Sequence, residues 1–161
     1  MSDVNELEAI KRLKYKYLRC LDLKQWSDLA ECFTEDAVSA YSGGKYSFDG
    51  RDAIMDFLER AMGASSFLSS HTVHHPEIEF TSETTATGIW ALRDVVIETN
   101  ADIVIQGAAF YHDEYVKIDG EWKIRSTGYE RTYEETLSRA DVPSLKITAN
   151  RFADSRRRSD R

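Results

Sequence analysis

Six residues of this 161-residue chain combine types and spacings suited to acid–base chemistry. Tyr17 and Asp22 lie five apart near the end of a helical pattern, about 140° around an ideal helix, so they share no face but can flank one bound object. Asp22 follows Leu21, where a helix dipole disfavours a carboxylate by about 0.3–1 kcal/mol. It is either a turn residue in Asp-Leu-Lys-Gln or a carboxylate that orients an imidazole. Tyr17, four residues after Leu13, is either a core tyrosine with its hydroxyl at the rim or a phenol aimed into a cavity as acid or oxyanion donor. His71 opens the first long strand, within SSHTVHHPEIEF, where strict alternation puts His71, Val73 and His75 on one side and Thr72 and His74 on the other. Asp94 interrupts the apolar run IWALRDVVI and is a second carboxylate able to face His71 from a neighbouring strand. Tyr41 points away from the side taken by Val38 and Ala40. Arg131, in TGYERTYEE, is either a surface partner for Glu130, Glu134 or Glu135 or a fixed cation near a developing negative charge.

Other chemistries lack their residues. His71 and His75 are four apart in a strand, roughly 13 Å, too far to share an ion, so no metal is expected. Cys20 and Cys32 are too few for a disulfide scaffold or a zinc site of their own. There is no GxGxxG, no Walker A loop and no GxSxG elbow.

The elements that must position these residues run helix first, then strand. Leu7, Ile10, Leu13, Tyr17, Leu18 and Leu21 recur in steps of three and four, predicting an amphipathic helix over Val4–Leu21 with Lys and Arg on its other face. A short helix is expected from about Ser27 to Phe33. A hairpin of Ala37–Tyr41 and Lys45–Phe48 turns at Gly43-Gly44, and a third helix spans about Arg51–Met62. Gly63–Ser70 reads as loop. Four long strands follow: His71–Phe80, Ala86–Thr99, Ile103–Ile118 and Glu121–Tyr133, the last two joined by Asp119-Gly120. Strands of such length must twist and curl. The expected fold is an α+β cone, three helices of the N-terminal half packed on a strongly curved, mostly antiparallel sheet whose mouth is of ligand size.

Composition agrees with one globular domain: 42% hydrophobic and 30% charged residues. The net charge of −7 argues against nucleic acid. No apolar run suits a membrane span, and the charged start does not read as a signal peptide, so the expected location is cytoplasmic. Residues 151–161 hold five Arg against two Asp, a basic tail on a domain of residues 1–150.

The stretches AIKRLKYKYLRCLD, AYSGGK, SETTATGIW, GAAFYHDEYVKIDGEW and TGYERTYEE resemble the SnoaL-like group of the NTF2-like superfamily, and within it the bile-acid 7α-dehydratases. The likeness runs from about Glu8 to Asn150. It implies catalytic roles for Tyr17, Asp22 and His71, and pocket roles for Tyr41, Asp94 and Arg131. It also implies a lyase that needs no cofactor, a small hydrophobic, steroid-like substrate, and a homo-oligomer, with a trimer favoured over a dimer. An isomerase, cyclase or dehydrohalogenase, or a non-catalytic binding module, is the alternative. Ile89, where the dehydratases carry a charged residue, and the altered Gly63–Ser70 segment bear on substrate more than on chemistry.

Overall fold

A computed structural model describes residues 3–153. Three helices come first in the N-terminal half: α1 (Asp3–Leu23), α2 (Trp26–Ala30) and α3 (Arg51–Met62). The strands are β1 (Phe33–Tyr41), β2 (Tyr46–Asp49), β3 (Phe67–Phe80), β4 (Thr85–Glu98), β5 (Ile103–Ile118) and β6 (Glu121–Ser138). They form one sheet in the order β2-β1-β6-β5-β4-β3, with β1 parallel to β6 and every other pairing antiparallel. The α+β cone is therefore observed, its helices against the curved sheet. No helix among the described residues is long and apolar enough to cross a membrane.

Three boundaries differ from expectation, each because sheet pairing overrides local composition. The second helix stops at Ala30, and Phe33 already pairs with Ile124 of β6. Phe67–Ser70, read as loop from its serines, pairs with Val95–Glu98 and so belongs to β3. The charged run beyond Tyr133 stays in β6 because Ile103–Gln106 of β5 continue the ladder out to Ser138. Of the basic tail, residues 154–161 lie outside the described part.

Alternation gives the sheet two unlike faces. Ala86, Trp90, Leu92, Ala109, Tyr111, Tyr115 and Ile124 point inward and meet Ile10, Tyr17, Leu18 and Leu21 of α1 in one core. Lys14 also departs from expectation. It lies not on the solvated face of α1 but fully buried, with Ile10 and Tyr17 on the core stripe. Its ammonium is 2.7 Å from Asp113 Oδ2 and 3.4 Å from the centre of the Tyr111 ring. Burial pushes its pKa down, and the Asp113 charge opposes that shift. Asp113 also accepts hydrogen bonds from Tyr115 Oη and Thr127 Oγ1, each at 2.7 Å, and Trp90 Nε1 donates to Tyr115 Oη at 2.9 Å.

The two halves of this pair are not equivalent. Without Lys14 the carboxylate keeps two hydroxyl donors, whereas without Asp113 the ammonium loses its counter-ion. Asp113→Ala should therefore cost about 3–5 kcal/mol in urea unfolding, and Lys14→Met should cost clearly less.

Candidate functional site

Asp22 stands one residue before the end of α1, and its carboxylate is held entirely by β3. The backbone N–H of His71 donates to Oδ2 at 2.8 Å. Ser69 Oγ donates to Oδ1 at 2.8 Å, and His71 Nδ1 lies 2.6 Å from the same oxygen. A carboxylate can only accept, so in the neutral ring the proton sits on Nδ1 and Nε2 keeps its lone pair. The His71 side chain is 10% exposed and that of Asp22 20%, so the pair is sheltered yet reachable.

The next strand supplies a second pair. Asp94 lies directly across from His71 in the β3–β4 ladder, on the same face. It does not orient the imidazole, for both its oxygens are taken by Arg131, Nη1 to Oδ1 at 2.5 Å and Nη2 to Oδ2 at 2.8 Å. That fork raises the pKa of the guanidinium further. Arg131 spans from β6 to β4 over Gly107 of β5, and Arg131 Nε also lies 3.2 Å from Glu134.

A third pair is phenolic. Tyr17 Oη and Tyr41 Oη are 3.3 Å apart, both buried. Tyr111 and Tyr129 complete the cluster, with ring centres 5.5 Å apart, and Tyr129 lies 5.9 Å from Tyr41 and beneath the Arg131 guanidinium at 5.1 Å. Burial raises the pKa of all four tyrosines. They stay protonated at neutral pH and act as donors.

All six residues singled out in the sequence thus fall into three contacting pairs, carried by α1 and by β1, β3, β4 and β6. The sequence reading missed Ser69, Tyr111, Tyr129 and Gly107. Carrying the alternation of His71 and Val73 back two residues would have found Ser69. The histidine cluster does not act together: the alternation breaks at a bulge after His74, where His75 takes a φ of 45°. Among the described residues no three His, Cys, Asp or Glu side chains gather as a metal would need.

A family model described as the SnoaL-like domain matches residues 2–128. Among solved structures, a protein of Novosphingobium aromaticivorans DSM 12444 named after scytalone dehydratase is 27% identical, with a TM-score of 0.75 over 92% of this chain and 93% of that one. The hexachlorocyclohexane dehydrochlorinase LinA-type3 of Novosphingobium barchaimii LL02 is 24% identical, with a TM-score of 0.74 over 92% and 99%. A second N. aromaticivorans protein, named after an aromatic ring hydroxylase, is 18% identical, with a TM-score of 0.77 over 85% and 96%. The last two likenesses establish the fold alone.

The crossing of Arg131 over Gly107 is tight enough to test. A Cβ there would meet Tyr133 O at 2.5 Å and Arg131 Nη1 at 3.0 Å. Gly107→Ala should cost about 1–3 kcal/mol in thermal unfolding and displace the guanidinium from Asp94, visible in a crystal structure of the variant.

Proposed function

The chain belongs to the family of SnoaL-like domains, and on that premise we propose that it is a cofactor-independent hydro-lyase acting on a hydroxylated 3-oxo steroid or similar polycycle. The observation that carries this reading is the His71 Nδ1–Asp22 Oδ1 contact of 2.6 Å, which leaves Nε2 as a base of fixed tautomer. A ligand-binding cone has no need of such a pair.

The chemistry asks for little more. In a 7α-hydroxy-3-oxo-Δ4 steroid the C6 proton is γ to the carbonyl carbon through the enone, so its removal gives a dienolate with charge on O3. The dienolate then expels the C7 hydroxyl, which leaves as water with the proton handed on from the His71 imidazolium, directly or through Tyr17, and a longer conjugated dienone results. His71 Nε2 takes the C6 proton, and Asp22 stabilises the imidazolium that forms. Tyr17, kept protonated by burial and bonded to Tyr41, donates toward the leaving oxygen or the enolate. Asp94 and Arg131 hold one another and shape the wall beside the base.

The resemblance to bile-acid 7α-dehydratases supports the steroid, and likeness to the protein named after scytalone dehydratase supports loss of water as the reaction type. The outer sheet face exposes Val95 and Phe110, which favours association of copies, as a trimer in this reading.

Incubation with 7α-hydroxy-4-cholesten-3-one should produce the absorbance of the extended dienone. His71→Ala should lower kcat/KM by at least about 10²–10⁴-fold, and Asp22→Asn should also lower it by removing the tautomer lock. Steroid binding with no dienone formed, or a fully active His71→Ala enzyme, would sink the lyase reading.

A further inference from the structure

Asp22 is a carboxylate in the wrong place by helix electrostatics. The free carbonyls at the end of α1 make its surroundings negative, and a carboxylate in a last turn is disfavoured. It can also rotate about its last bond unless both oxygens are engaged. His71 engages each oxygen once, through the N–H of its backbone and through Nδ1. Those two bonds come from one residue and are not independent. A ring that swings away when substrate binds would leave Oδ1 with nothing but Ser69.

Ser69 is placed for that purpose. It lies two residues before His71 in β3, hence on the same face, opposite Val96 of β4. Its Oγ–H points at Oδ1, the oxygen that also meets the imidazole. The strand there is itself anchored. Lys24, just past the end of α1, donates to the carbonyls of Met62 and Phe67 at 2.8 Å each, and to that of Ala64. Helix end and strand start are thereby fixed to one another just before Ser69, and the His71 N–H bond to Asp22 fixes them just after it, so the serine works as a third support.

Resting on the lyase reading for its catalytic consequence, we propose that Ser69 is the positioning residue of the His71–Asp22 pair: it locks the Asp22 carboxylate so that Oδ1 keeps the imidazole in one tautomer and one orientation through the proton transfer. Ser69 touches no reacting atom. Its acceptor lone pairs play no part in this; the donated proton does. A residue with a hydroxyl at the same position therefore substitutes, and one without does not.

The test uses the full chain and three variants, Ser69→Ala, Ser69→Thr and Ser69→Cys. The first readout is the proton NMR signal of the His71 Nδ1–H, which a sheltered imidazole–carboxylate bond moves far downfield and protects from exchange with water; His71→Ala assigns it. The signal should be present in the wild type and in Ser69→Thr, and broadened or lost in Ser69→Ala, with melting temperatures within a few degrees of one another. If Ser69→Ala does not fold, Ser69→Cys, a weak donor of similar size, should lose the signal in its place. The second readout is turnover of 7α-hydroxy-4-cholesten-3-one. Ser69→Ala should lose about tenfold in kcat, about 1.4 kcal/mol, with KM little changed, and Ser69→Thr should restore most of it.

An unchanged downfield signal in Ser69→Ala overturns the proposal whatever the steroid does. Loss of the signal in Ser69→Ala with its retention in Ser69→Thr upholds it even if that steroid is not turned over, in which case the lyase reading alone is lost. A wild type with no such signal overturns both.

Discussion

Much of this architecture depends on how one helix end meets one edge strand. β3 is the last strand of the sheet, so its first residues have a ladder partner on one side only. Such a segment, rich in serine, would fray if left alone. The end of α1 prevents it with two charges of opposite sign. Asp22 accepts from the donors of Ser69 and His71, and Lys24, two residues later, donates to the carbonyls of Met62, Ala64 and Phe67. Each charge meets only groups it can bond. The unfavourable dipole at Asp22 is offset by three donors, and the same bonds that settle the carboxylate set the imidazole.

A second constraint lies deeper in the cone. Lys14 and Asp113 are both fully out of water, and removing two charges from solvent costs several kcal/mol per ion before their attraction offsets it. Such a pair is poor evidence of stability, and a hydrophobic replacement of equal volume could serve the fold as well. Its position suggests what it does accomplish. The ammonium lies against the Tyr111 ring and 4.8 Å from that of Tyr17, while Asp113 holds Tyr115 and Thr127. Two rings of the phenol cluster thus rest on a group that cannot shift without uncovering a charge. The tyrosines stay oriented for the reason that makes the pair costly.

The parts of this fold that were legible in the sequence are those in which local pattern and tertiary role agree. The three- and four-residue steps of α1 and the Asp119-Gly120 turn of the β5–β6 hairpin are of this kind. Tyr17, Asp22 and Asp94 were conspicuous as well, each a polar group where an apolar or differently charged one belonged. What stayed hidden depended on partners distant in sequence. Phe67–Ser70 has the composition of a loop and becomes strand because β4 and the end of α1 supply its bonds. Lys14 reads as a solvated lysine and is buried because Asp113 lies ninety-nine residues away and directly opposite. The choice between Asp22 and Asp94 as partner of His71 needed the position of Arg131, which no spacing along the chain reveals.

That choice also bears on the kind of molecule the site suits. Arg131 faces a carboxylate with two parallel bonds and lies near a second in Glu134, so its charge is spent within the protein. Lys24 spends its own on three carbonyls, and Lys14 lies in the core with Asp113. These three cations are therefore all engaged, and an acidic group brought beside His71 would meet the carboxylates of Asp22 and Asp94. The phenols around Tyr17 and Tyr41 remain as neutral donors, suited to a ketone or hydroxyl oxygen rather than a carboxylate. Under the proposed lyase function, a wall with its ion pairs closed and one imidazole nitrogen open suits an uncharged oxygenated substrate, and the negative charge that would develop on it during proton removal is what hydroxyl donors in a sheltered site stabilise most.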